Sequence, residues 1–267
     1  MTTAPLPASV VSYLNAVPLF WGLKHGPQKE LFHLDFMLPA KCADALRSGQ
    51  VQAAILPSIE YQRIDSLKIV PGLCISSAGP VRSVLLISQR PIGQIRSLAL
   101  DTSSRTSACL VQILLWRRYQ LRPELRPGAP ELGAMLRECD AALMIGDPAL
   151  ASDFPGLQVY DLADEWRAMT GLPFVFAFWA MRSDVADAGS YVKLFQEATA
   201  YALKHLGEIT QSEALRTGLP KPLIQEYLTT NIDFSLSERS LEGLRMFYRY
   251  AHEMGLTNGV KPLEFVG

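Results

Sequence analysis

The residues best equipped for chemistry lie between Asp101 and Ser107. The run Asp101-Thr102-Ser103-Ser104-Arg105-Thr106-Ser107 follows the apolar segment Ser97 to Leu100 and precedes Ala108 to Trp116. That order reads as a buried strand, a hydroxyl-rich turn and a helix. The first turn of a helix has N–H groups without partners and carries the positive end of the helix dipole. Serine and threonine hydroxyls add donors, and Arg105 adds a fixed positive charge. Together they make a binding place for a small carboxylate or phosphate. A plainer account makes Asp101, Thr102 or Ser103 a helix cap with no ligand. A cap needs only one such side chain, so the clustering of hydroxyls around an arginine favours a ligand.

The rest of the composition narrows the kind of ligand. A chain of 267 residues makes one large or two small domains, and 49% apolar against 19% charged residues supplies a substantial core. The net charge of −1 gives no basic excess for a nucleic-acid backbone. No apolar run is long enough to span a membrane. Met1 to Ser9 lacks the basic and apolar regions of an export signal, so a cytoplasmic location is expected. Cys42, Cys74, Cys109 and Cys139 stand 30 or more residues apart in apolar segments and read as buried free thiols. His25, His33, His205 and His252 are dispersed and match neither a zinc site nor a catalytic triad. No metal and no cofactor is therefore expected. The expected partner is a small molecule, with no nucleic acid and no membrane; the oligomeric state is not legible.

Along the chain, short strands alternate with helices. Strands are expected at Val10–Leu14, Phe32–Met37, Ala53–Leu56, Leu67–Val70, Leu73–Ser77 and Ser83–Ser88, with helices after Pro18, over Lys41–Ser48 and from Pro57-Ser58. The pattern restarts after Arg90-Pro91. Strands are expected at Leu98–Leu100, Asp140–Ile145, Leu157–Tyr160 and Phe174–Ala180, with Pro-rich loops near Pro123–Pro130 and a helix capped by Asp161. From Asp184 onward only helices are expected. Such alternation predicts an α/β protein with parallel sheets. The restart predicts two lobes: residues 1–89 with 182–267, and residues 90–181, with crossovers near 88–91 and 180–183. Ligands in open α/β sheets bind at the C-terminal ends of strands. The loops Ser12–Pro18, Gly79–Ser83, Thr102–Ser107 and Gly146–Pro148 should therefore meet at one cleft.

Five blocks occur in a fixed order: Ser12-Tyr13-Leu14-Asn15-Ala16-Val17-Pro18; Pro80-Val81-Arg82-Ser83-Val84; Asp101 to Ser107; Ile145-Gly146-Asp147-Pro148-Ala149-Leu150; and Tyr160 to Trp166 with Thr170 to Ala177. Together they resemble the chorismate dehydratase family of the futalosine route to menaquinone, from about Val10 to Met254. The first and third blocks carry most of the likeness, and Ala163 departs from the glycine more usual there. The resemblance implies a two-lobed type 2 periplasmic-binding-protein-like fold, with a ligand cleft between lobes and a C-terminal helical block. It also implies a hydro-lyase that converts chorismate to 3-[(1-carboxyvinyl)oxy]benzoate and water.

The resemblance assigns expected roles. Asn15 is the catalytic candidate, holding the leaving hydroxyl or orienting the ring; its alternative is a turn residue before Pro18. Ser83, Ser104, Thr106, Ser107, Gly146 and Asp147 are the substrate-binding candidates. Asp147 is positioned like a general base, but a free carboxylate would oppose a dianionic substrate, and a capping role before Pro148 competes with it. Arg105 is expected to brace Asp101 or Asp147 rather than touch substrate. With no histidine in these blocks, the substrate's own enolpyruvyl carboxylate is the candidate proton acceptor. A solute-binding protein of the same fold, and the dihydroxynaphthoate-forming enzyme of the same pathway, are the alternative functions.

Overall fold

A computed structural model describes residues 5–267. The first four residues of the segment that lacks the features of an export signal thus lie outside the described residues. In chain order the elements open with β1 (Leu6–Val11), a single 3₁₀ turn (Leu14–Ala16), α1 (Val17–His25), β2 (Phe32–Met37), α2 (Pro39–Ser48) and β3 (Ala53–Pro57). A second 3₁₀ turn (Ser58–Gln62), β4 (Leu67–Ser77), β5 (Val84–Ser88), β6 (Ser97–Asp101), α3 (Arg105–Tyr119), β7 (Glu124–Gly128) and α4 (Leu132–Glu138) follow. Then come β8 (Ala141–Ile145), α5 (Gly146–Leu150), β9 (Gln158–Asp161), α6 (Leu162–Thr170) and β10 (Phe174–Arg182). The chain closes with α7 (Ala188–Lys204), α8 (Leu206–Thr217), α9 (Lys221–Glu226), a π-helical turn (Tyr227–Asn231), β11 (Asp233–Ser235) and α10 (Glu238–Glu253).

Local chemistry accounts for many of these limits. Gly49 ends α2 in the left-handed conformation that a glycine adopts without steric cost. Ser104 caps α3 by accepting from the Ser107 N–H, and Asp161 caps α6 by accepting from Ala163 and Asp164, as its sequence position predicts. The four cysteines are free and buried. Burial pushes the Cys42 and Cys74 thiols up to about 12, so both stay protonated and behave as core side chains.

The strands form two sheets. One has six strands in the order β11-β4-β10-β3-β1-β2, the other five in the order β7-β6-β8-β5-β9. Only part of each is parallel. β1 runs parallel to β2 and β3, but β10 is antiparallel to both β3 and β4, and β11 is antiparallel to β4. In the second sheet β6 is parallel to β7 and β8, while β5 is antiparallel to β8 and β9. The expectation of parallel sheets is corrected accordingly.

The expected crossovers also shift. β5 pairs in the second sheet and β10 in the first, so the chain changes sheet at residues 78–83 and 171–173 rather than near 88–91 and 180–183. Both strands are almost wholly buried. Hydrophobicity alone therefore fits them to either sheet; hydrogen-bond pairing decides. The Pro-rich stretch expected to be loop contains β7, which is tolerated because it is an edge strand where Pro127 removes no needed ladder donor. The first sheet is covered by late helices. α7 lies close on α1: a Cβ at Gly22 would collide with the Ala198 carbonyl oxygen, so only glycine permits that crossing. Trp166 and Phe174 pack edge to face with each other and with Phe247 of α10, and all three are fully buried. Each such side chain contributes roughly 1.5–3 kcal/mol of burial.

Candidate functional site

Between the two sheets lies a cleft with about 490 Å³ of space not filled by atoms, its open mouth included. Its walls come from strand ends and the turns after them. Val11 ends β1, Tyr13 and Asn15 follow it, Pro57 ends β3, and Ile75, Phe176 and Ala177 come from β4 and β10. Val84, Ser104, Thr106, Ser107, Ile145 and Gly146 face them from the second lobe. Of the expected site residues, Asn15, Ser104, Thr106, Ser107 and Gly146 are brought together here. Ser83 and Asp147 sit just behind the wall.

The start of α3 presents uncharged hydrogen-bond donors to the cleft. Ser104 engages the Ser107 N–H at 3.3 Å. The N–H groups of Arg105 and Thr106, at the first turn, remain without intrahelical partners. The Thr106 hydroxyl oxygen accepts from the Ile59 N–H at 3.3 Å, leaving its hydrogen to donate. Arg105 points away from the cleft. Its guanidinium binds Glu60 and Asp44, each at 2.9 Å, so it braces the helix, but through neither Asp101 nor Asp147. Glu60 is completely buried and also receives Arg47 at 2.7 Å and Arg63 at 3.0 Å. One buried carboxylate thus knots three arginines and fixes α3 against the first lobe. No lysine or arginine lines the cleft among the described residues, so an anion there meets hydroxyls, backbone N–H groups and the helix dipole.

A second set of contacts organises the Asn15 turn. The Leu14 N–H donates to Asp147 Oδ1 at 2.8 Å, and Arg216 donates to Asp147 Oδ2 at 2.8 Å. Asp147 therefore ties the second lobe to two points of the first. Both its oxygens are engaged, and it is not a lining residue; its place is that of a clamp. Ser83 is fully buried, and its hydroxyl lies 2.6 Å from the Tyr227 hydroxyl. The Asn15 Oδ1 atom is buried without a hydrogen-bond partner. An unpaired buried acceptor of this kind costs free energy.

Gly146 has φ +68°, and a Cβ on it would lie 2.9 Å from three carbons of the Tyr13 ring. The glycine is thus the seat of an aromatic wall. Tyr13 and Phe176 supply flat apolar faces to the cleft, and neither is among the expected site residues. Tyr13 lies in the block that carries Asn15, two residues before it, and that proximity is its only signal. Tyr227, in a late helical run, offers no local signal at all.

With this geometry in hand, sequence comparison is decisive. Residues 8–253 match the protein family described as menaquinone biosynthesis. The chain belongs to that family. It is 32% identical over 263 residues to a chorismate dehydratase of Thermus thermophilus, covering 91% of this chain and 93% of that one. It is 26% identical to a chorismate dehydratase of Campylobacter jejuni, covering 92% and 97%. The fold is the two-lobed type 2 periplasmic-binding-protein-like fold. The protein AF1704 of Archaeoglobus fulgidus superposes with a TM-score of 0.77 at 15% identity, covering 96% of this chain and 100% of that one. The aliphatic sulphonate binding protein SsuA of Escherichia coli superposes with a TM-score of 0.64 at 15% identity, covering 100% and 95%. For this menaquinone-biosynthesis family member, among the described residues no helix is long and apolar enough to cross a membrane, and no cluster of His, Cys, Asp and Glu could hold a metal ion.

Proposed function

We propose that this protein is a chorismate dehydratase, a carbon–oxygen lyase that releases water and 3-[(1-carboxyvinyl)oxy]benzoate from chorismate. The observation that carries the reading is the chemistry of the cleft wall. It joins neutral anion donors at the start of α3 with two aromatic rings and the unpaired Asn15 oxygen, and no ionised carboxylate lines it. The names borne by the two relatives support the same reaction. Such a wall suits a dianion that must be held still more than it must be attacked.

In the proposed reaction, Thr106, Ser107 and the first N–H groups of α3 hold a carboxylate. Tyr13 and Phe176 flank the ring. The C–H proton at the ring carbon bearing the enolpyruvyl ether passes to the substrate's enolpyruvyl carboxylate, which is tethered next to it. The released electron pair forms the ring double bond, the neighbouring C–O bond breaks, and the departing hydroxide takes up a proton to leave as water. Asn15 holds the leaving hydroxyl and fixes its direction. Aromatisation supplies driving force, and positioning supplies rate.

The test is incubation of purified protein with chorismate in metal-free buffer, followed by ultraviolet spectroscopy and mass spectrometry. The expected result is a product lighter by one water. Chorismate bound but recovered unchanged would refute dehydration and leave a solute-binding protein of this fold.

A further inference from the structure

β2 ends the six-stranded sheet, and its outer edge is open. Among the described residues its only strand neighbour is β1. The Leu6 N–H donates to the Leu31 carbonyl, and the Ser12 N–H donates to the Met37 carbonyl. Along a parallel ladder, alternate residues turn both backbone groups toward the same neighbour. Leu31, His33, Asp35 and Met37 therefore face β1, while the N–H and C=O groups of Phe32, Leu34 and Phe36 point outward. Sheet edges are usually kept from pairing by shortness, proline, lysine or a bulge. The other three edges carry such a device: β11 has three residues, β9 has four, and β7 contains Pro127. β2 has six residues in unbroken register with β1, and neither proline nor lysine interrupts it. Large apolar side chains stand along it, with Leu31, Phe36 and Leu38 respectively 44%, 47% and 49% exposed.

The edge is complementary to itself. A second copy laid antiparallel, with a two-fold axis at Leu34, sets Phe32 against Phe36, His33 against Asp35 and Leu34 against its own counterpart. The outward backbone groups then fall in hydrogen-bonded pairs, and every outward N–H and C=O of β2 is used. On one face the phenylalanines meet each other and leucine meets leucine. On the other face each copy's His33 meets the other's Asp35, in the non-hydrogen-bonded pairs where side chains lie closest. Both are accessible, His33 with 71% and Asp35 with 36% of its side chain exposed. Charge selects this register. An axis one residue earlier would oppose His33 to His33, and one residue later Asp35 to Asp35; like charges directly opposite destabilise a pair of strands. We infer that β2 is a self-complementary interface through which two copies of this chain pair antiparallel about Leu34, joining their six-stranded sheets into one. Such an interface is isologous and closes at two copies. It does not depend on which reaction the cleft performs.

Sedimentation velocity of the full chain over a range of concentrations tests it. The wild type should reach twice the mass of one chain as concentration rises. Leu34→Pro removes the N–H at the axis; an edge strand tolerates proline there, because that N–H serves no ladder bond within the chain. Its mass should stay that of one chain. Should that variant fail to fold, His33→Asp takes the same reading from an exposed side chain. It opposes aspartate to aspartate at both crossings, so the dissociation constant should rise about tenfold. Combining His33→Asp with Asp35→Lys returns opposite charges to the same places and should restore the dimer. Cross-linking reads the register directly: a mixture of His33→Cys and Asp35→Cys chains should form an intermolecular disulfide faster than either variant oxidised alone. A wild type that stays monomeric up to its solubility limit, a dimer indifferent to both Leu34→Pro and His33→Asp, or cross-linking no faster in the mixture than in the single variants would overturn the proposal.

Discussion

Replacing Asp147 separates a clamp from a base. Asp147→Asn preserves the size of the side chain. Its amide oxygen can still accept from the Leu14 N–H, now at 2.8 Å, but its NH₂ group faces the Arg216 guanidinium, now also at 2.8 Å. The Arg216 side chain is 44% exposed and that of Asp147 19%. Solvent screening therefore limits the ion pair to about 1 kcal/mol, roughly a fivefold change in an equilibrium constant. Asp147→Ala also abandons the Leu14 N–H, which adds roughly 1–3 kcal/mol and frees the turn carrying Asn15. In steady-state assays with chorismate, Asp147→Asn should raise KM about fivefold and keep kcat within a small factor. Asp147→Ala should lose tens- to hundreds-fold in kcat/KM. Arg216→Gln should resemble Asp147→Asn, since it breaks the same pair. A drop of about a thousandfold or more in kcat for Asp147→Asn, at unchanged KM and melting temperature, would make Asp147 the proton acceptor and refute the clamp.

Ser107→Ala should weaken substrate binding by roughly 1–3 kcal/mol without moving the melting temperature, while Thr106→Val should also lower stability, because the Ile59 N–H loses its acceptor; equal melting temperatures would contradict this. Gly146→Ala should cost roughly 1–3 kcal/mol of stability from the positive φ and displace the Tyr13 ring; wild-type kinetics in a folded variant would show that the ring does not line the working site. The Arg96 N–H, aided by Arg90 and the Ser97 N–H against the effect of burial, holds Asp140 below its ordinary 3.8. The stability Asp140 contributes is complete above pH 3.8 and lost as pH falls through its lower folded-state value; Asp140→Asn should remove that part of the acid transition, and an unchanged acid limb in a denaturant titration would exclude it.

Local chemistry is legible in the chain, and long-range pairing is not. The hydroxyl-rich start of α3, the Asp161 cap and the Gly49 stop all express themselves within a few residues. The strand, the hydroxyl-rich turn and the helix start around Asp101 to Ser107 therefore follow from seven consecutive residues and the rules of helix ends. The sheet membership of β5 and β10 does not follow in this way, because continuously apolar strands fit either sheet until their partners are known. Arg105 acts as the expected brace, yet its partners Glu60 and Asp44 lie 45 and 61 residues away in sequence, beyond any local rule. Tyr227 is the extreme case: its hydroxyl meets Ser83, 144 residues earlier.

The placement of β10 has a consequence for how the molecule comes into being. β10 lies between β3 and β4, in the middle of the first sheet, yet follows every strand of the second sheet in the chain. As the chain leaves the ribosome, the second sheet has all its strands once Asp161 has emerged. The first sheet still has a gap at its centre, with β4 joined to none of β1, β2 and β3. The lobe that is begun first is thus finished last, and the pairings that complete it span more than a hundred residues, such as Ile55 with Trp179. Contacts of that range are slow to form. During synthesis the second lobe can shelter its own core, while the half-built first sheet keeps two open edges until β10 arrives to close them.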